Sequence, residues 1–324
     1  MKKIKLLILL LILLFTTCGC LNYTELNDIG IIDAIGINKN DKNYTISINM
    51  LTPTVKNLEE SKKYQVTAET LEEAFDKLYL LTSKDMNLSH LELLLLNKNL
   101  NKEDFDNITK FFLNRDDSRN TFKVLVVDNY NEEKLFKFKS NDINYLIETN
   151  SKEDGMVITK TFDEIVEDIL DIQISYIPLI DIDKEIKILG YQSIYSESKK
   201  LDYWESISYN YLYNKIIKCN LVDKDLNIKI DKSRTIMEIN KNKITININS
   251  TLTNYGKDKN IETIYNGILK KNLINFLSSN NLNYFKNMIK KYDFNYYKNN
   301  KINNIDFKIN IKSKLNKGAI KDEK

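Results

Sequence analysis

The chain has 324 residues, with 48 lysines and arginines against 45 aspartates and glutamates and a single histidine. Three of the lysines fall within residues 1–19, so the remainder balances at 45 against 45 and carries no basic surplus to drive nucleic-acid binding. One histidine, eight glycines and no GxGxxG or P-loop spacing exclude histidine-rich metal sites and any signalled phosphate cradle.

The N-terminus reads as an export signal. Lys2, Lys3 and Lys5 form a basic start, residues 6–15 are an unbroken apolar run, and Thr16, Thr17, Cys18 and Gly19 are small. Ten residues of helix reach about 15 Å, half of a roughly 30 Å hydrocarbon core, too short for a membrane span. Cleavage after Gly19 leaves Cys20 at the mature N-terminus, which looks like a bacterial lipobox, with a diacylglyceryl lipid on the Cys20 thiol. Thr17 departs from the usual Leu three residues before that cysteine. An ordinary cleaved signal with Cys20 as an incidental thiol is the plainer alternative. Anchoring has a physical basis, since each buried CH₂ contributes about 0.8 kcal/mol and two acyl chains hold where one does not. Beyond that covalent lipid no cofactor is signalled. Cys219 is then left alone, without a disulfide framework.

The roughly 305 residues that follow exceed one compact core, so two or three domains are expected. Residues 29–38, IGIIDAIGIN, form an apolar strand; Asn40, Asp41, Lys42 and Asn43 form a turn; Tyr44, Ile46, Ile48 and Met50 alternate on a second strand. Thr70 and Glu73 make a capping box ahead of a helical stripe of Leu71, Ala74, Phe75, Leu78 and Leu81. Residues 91–96 read as a short buried strand that His90 opens, Phe105, Ile108 and Phe112 mark a second helix, and 122–127 another strand. Further on, Thr161 and Glu164 open a helix carrying Phe162, Ile165, Val166 and Ile169. Pro178 breaks the chain beyond it, and 186–195 reads as strand. Trp204, Tyr209, Tyr211 and Tyr213 form an aromatic cluster whose three tyrosines share one face if the segment is a strand. In the last third, Ile244, Ile246, Ile248 and Leu252 alternate on a strand. Ile261, Tyr265, Ile268 and Phe276 follow a helical period, as do Leu282, Phe285 and Ile289, and Phe307, Ile309, Ile311 and Leu315 alternate on a closing strand. The fold class is α+β, multi-domain, with helices packed on mixed β-sheets. The expected divisions are a signal over 1–19, an N-terminal domain over 20–130, a middle domain over 131–204 that is alternatively an extension of the first, a C-terminal domain over 205–318 and a tail over 319–324.

Several segments together resemble the Ger(x)C spore germination lipoproteins. Gly19, Cys20, Glu25, Leu26, Asn27, Ala34, Ile35, Gly36 and Ile37 match the opening of that family, with Leu21 in place of its Trp and Asn38 in place of its acid. His90 falls on the family's histidine with Ser89 replacing the preceding glycine, and Arg115, Asp116 and Arg119 match a following block. The closing segment around Gly318 is similar too, while the Pro/Trp segment often seen before it is absent. The resemblance is strong over 19–128, thin over 130–235 and moderate after 236. It implies three domains on a lipid anchor, at the outer face of the spore inner membrane. It also implies work beside the membrane A-type and B-type subunits of a nutrient-germinant receptor, as a non-enzymatic scaffold. The alternative is a solute-binding lipoprotein of a transporter, against which stands the lack of regular βαβ repeats.

The candidate partner-contact residues are Glu25, Leu26, Asn27, Arg115 and Arg119. The plainer readings are that Leu26 enters the core, that Glu25 caps locally, and that Arg115 and Arg119 form a surface ion-pair cluster with Asp116 and Asp117. His90 has no nucleophile motif beside it, and a satisfied strand-edge histidine is its plain reading.

Overall fold

The structure, a computed structural model, describes residues 28–52, 60–172, 174–194, 199–256, 258–279 and 283–316. Gly19, Cys20, Glu25, Leu26 and Asn27 lie outside the described residues, as do Tyr195, Leu282 and Gly318.

The first sheet is built from β1 (Ile29–Asn40), β2 (Asn43–Thr52), β3 (Glu60–Ala68), β4 (Asp85–Asn87), β5 (Leu93–Asn97), β6 (Lys123–Val127), β7 (Ser175–Ile182), β8 (Ile186–Ile194) and β9 (Lys200–Leu201). Its order is β3-β2-β1-β5-β6-β7-β8-β9, with β4 paired to the start of β1. β1, β5, β6 and β7 run parallel, and helices must therefore return the chain between them. Those helices are α1 (Leu71–Thr82), α2 (Lys102–Leu113), α3 (Ser140–Glu153) and α4 (Phe162–Ile172). The expected capping at α1 is present in altered form: Thr70 accepts from the Glu73 amide, while Glu73 reaches back to the Glu69 amide.

Central strands carry continuous apolar runs because both faces are covered. Leu94, Leu96, Val124 and Val126 face one core with Phe75 of α1, Phe112 of α2 and Phe162 of α4. Leu93, Leu95, Leu125 and Val127 face the other, together with Ile143 and Ile147 of α3. This second core continues without a break into the C-terminal part. There α5 (Tyr203–Leu212) leads into a four-stranded sheet ordered β10-β11-β12-β13, formed by β10 (Cys219–Asp223), β11 (Leu226–Asn240), β12 (Lys243–Asn254) and β13 (Asp306–Leu315). Helices α6 (Ile261–Ser279), α7 (Asn283–Tyr292) and α8 (Phe294–Asn299) lie between β12 and β13 in sequence and pack on that sheet.

Four expectations are corrected. The tyrosine segment is helix α5, not a strand, and its start is fixed by a capping box between Asp202 and Glu205. Pro178 does not end an element but sits inside β7 opposite Tyr191; pairing of β7 with β6 is confined to Leu179 and Ile180, just past the missing amide. β10 and the 15-residue β11 stand where no strand was anticipated. β5 starts at Leu93, which leaves His90 in the turn before it. Residues 131–204, anticipated as a middle domain or an extension, contribute β7, β8 and β9 to the first sheet.

Candidate functional site at one end of the first sheet

The parallel strands place their N-terminal ends together. Ile29 pairs with Asp85 and Ile31 with Leu51, so the point where the chain enters β1, the end of β2 and the region after α1 share one end of the sheet. Arg115, just past α2, reaches the same end through a bond to the Met86 carbonyl at 3.3 Å. The topology thus gathers there the sequence-flagged residues His90, Arg115 and Arg119, and the chain enters there directly after Asn27.

Arg115 is engaged within the chain. Its Nε donates to Asp117 Oδ1 at 2.8 Å and its Nη2 to Oδ2 at 2.7 Å, a bidentate fork. The guanidinium also lies over the Phe75 ring at 5.0 Å and the Phe111 ring at 5.4 Å. Asp117 in turn accepts from the Leu88 amide at 3.2 Å. Burial by itself raises the Asp117 carboxyl, but the hydrogen bond and charge of Arg115 outweigh it and hold the group below its ordinary value. Arg119 is exposed.

Next to these residues opens a cleft of about 640 Å³, lined by Asp33, Asn49, Ser61, His90, Glu92 and Ser140 among others. A β-bulge between Ile32 and Ala34 lies in its wall, at Asp33. The extra residue, Asp33, interrupts the alternation, so that Ile32 and Ile35 both face one core while Ala34 faces the other. Asp33 is buried; its Oδ1 accepts from Asn49 Nδ2 at 2.8 Å and its Oδ2 from Ser140 Oγ at 2.8 Å. Ser140 opens α3, where the N-cap Lys139 makes no side-chain cap bond, so the carboxylate also faces a helix N-terminus. Burial raises the Asp33 carboxyl despite those two hydrogen bonds. Chemically, the arrangement is a rigid joint of β1, β2 and α3 beneath an open polar cleft. His90 is exposed on its rim.

The aromatic cluster lies elsewhere, at the junction of the two sheets. Tyr209 and Tyr211 are buried, Tyr211 sharing a hydrogen bond with Tyr265 at 2.8 Å. Buried Lys160 donates to Asp168 and to Tyr209 OH at 2.7 Å, while Ser175 Oγ donates to Asp168 at 2.7 Å. This core packing is the plain reading of the tyrosines, and it leaves no ring face open as a stacking wall on Tyr209 or Tyr211. Sequence reasoning missed Asp33, Lys160 and Asp168. Asp33 carried a signal, as the one charge inside an apolar run; Lys160 and Asp168 carried none among so many surface charges. Among the described residues no group of three His, Cys, Asp or Glu is placed to hold a metal, and no helix is long and apolar enough to cross a membrane.

Residues 22–182 match the family described as the spore germination protein N-terminal domain. The chain is 24% identical over 185 residues to "Spore germination protein KC" of Bacillus subtilis (strain 168), an alignment spanning 51% of this chain and 46% of that protein. A solved structure, "Crystal Structure of the GerBC protein", superimposes with a TM-score of 0.52 at 17% identity, covering 87% of this chain and 96% of that one. A mixed-sheet α+β fold built on this N-terminal unit defines a class of spore germination proteins. The chain belongs to it, as a member of the Ger(x)C family.

Proposed function

We propose that the chain is the C subunit of a nutrient-germinant receptor, held by a diacylglyceryl lipid on Cys20 at the outer face of the spore inner membrane. There it acts without catalysis, as a scaffold that couples membrane A-type and B-type subunits to one another. The observation that carries this reading is the order of the N-terminal segments. The lipobox-like Gly19 and Cys20 stand directly ahead of the family domain that begins at residue 22. Eight residues lie between Cys20 and Ile29, and even fully extended the nine steps span only about 30 Å. An anchor at Cys20 therefore holds the end of the first sheet, with its cleft, close to the lipid surface and to any membrane subunit beside it. Glu25, Leu26 and Asn27 fall inside that short connection, and Arg119 is exposed at the same end, which supports them as contact residues. Arg115 supports the contact indirectly, by fixing the loop that carries Arg119.

The experiment is membrane fractionation of spores carrying wild-type chain or Cys20→Ala, with mass spectrometry of the N-terminal peptide. The expected result is a wild-type peptide that starts at Cys20 with its lipid attached, in the membrane fraction with the A-type and B-type subunits, and a Cys20→Ala chain released from it. Wild-type protein without lipid on Cys20 overturns the anchor.

A further inference from the structure

We infer that the outer edge of β13 is a docking site for an extended, acidic peptide segment of a partner protein, taken up as an added β-strand under α6. Among the described residues β13 is the last strand of its sheet: it pairs with β12 along its whole length and with no strand on the other side. An open edge presents backbone amides and carbonyls ready to pair. One end of that edge is closed, because Glu262 of α6 accepts from the Leu315 amide at 2.6 Å. Towards the other end a groove of about 660 Å³ opens between α6 and residues 305–310.

The groove has the composition that strand addition requires, apolar pockets beside a free backbone edge. Its apolar wall comes from Ile274 and Leu277 of α6 and from Ile305, Phe307 and Ile309. Ile274 is 50% exposed, while Ile305 and Ile309 form the nearly closed floor. Side chains alternate along an added strand, so every second residue of the partner would drop into this wall while its backbone pairs with β13.

Charge selects the partner. Lys270 and Lys308 line the groove and no carboxylate does. Lys312 and Lys314 are exposed further along the same strand. A second copy of this chain pairing edge to edge would bring these lysines against each other, and like charges directly opposite on paired strands are unfavourable. The same lysines favour an acidic strand. The site is remote in sequence from the lipobox and stands independently of the anchor.

The test uses the full chain in detergent and two labelled probe octapeptides, one alternating Glu and Val, the other alternating Lys and Val. Fluorescence anisotropy reads binding, and amide hydrogen exchange reads residues 306–315. The expected result is binding of the Glu-Val peptide that weakens with salt, slows exchange in 306–315, and falls about tenfold in Ile274→Glu and in Lys308→Glu. The Lys-Val peptide should not bind. Both substitutions sit at exposed positions, and an unchanged melting temperature confirms that the variants fold. Equal binding of both peptides, no binding, or binding that neither substitution alters overturns the proposal; so does protection in any element other than β13 and α6.

Discussion

Arg115 shows how a flagged residue acquires a structural role. The sequence placed it in a charged block, and the fold turns it into a clamp that joins the loop after α2 to the region of β4 and stacks on Phe75 and Phe111. Arg115→Ala removes a two-pronged charge-assisted bond and two ring contacts together, and should cost about 2 kcal/mol in chemical denaturation. Arg115→Lys should recover only part of that loss, because an ammonium lacks the planar fork. Its partner predicts a pH dependence. The Asp117 carboxyl is held below its ordinary 3.8 in the folded chain, so its stabilisation is complete above the unfolded value and disappears as pH falls through the folded one. The stability advantage of wild type over Asp117→Asn should be constant near neutrality and shrink below about pH 4; an advantage that grows on acidification would contradict this. Asp33 is the counterexample at this scale. Its run IGIIDAIGIN announces a buried strand correctly, but the bulge that turns its carboxyl towards Ser140 depends on register with β2, which a one-strand reading does not contain.

At the scale of elements, strong periodicity was enough where one face is buried. The strands β1, β2, β12 and β13 and the helices α1, α4 and α6 all stand close to the positions that apolar spacing predicts. Segment α5 shows what defeats that reading. Tyr209, Tyr211 and Tyr213 satisfy a period of two, yet Asp202 and Glu205 satisfy a capping box, and the box decides. A helix buried nearly all round carries apolar and small residues on every face, so its amphipathic period is lost; in α5 even Ser206, Ser208 and Asn210 are buried. β11 was hidden differently, by a bulge between Ile230 and Lys232 that breaks its alternation into two short runs. The joint that holds α4, β7 and α5 together is the Lys160, Asp168, Ser175 and Tyr209 cluster. Lys160→Ala leaves Asp168 without its cation and should lower stability by about 3 kcal/mol, read as a shifted denaturation midpoint at unchanged slope. A shift under about 0.5 kcal/mol would mean that the pair is dispensable.

For the whole molecule, the two sheets are continuous through one apolar core, from Ala34 and Leu95 through Tyr191 and Tyr211 to Ile246 and Leu273. That continuity was not legible in the sequence, where residues 130–235 carry little pattern; it depends on the pairing of β7 with β6, which brings β8 and β9 into the first sheet. A single continuous core of this kind supports the proposed scaffold, which would transmit position rather than close on a solute. On the proposed function, membrane tethering at Cys20 serves the nutrient response. This role is checked by germination of spores carrying Cys20→Ala, triggered by nutrient and, in parallel, by a non-nutrient stimulus that bypasses the receptors. The expected result is loss of the nutrient response alone, with the bypass intact. Normal nutrient germination, with the chain present and unlipidated, would contradict it.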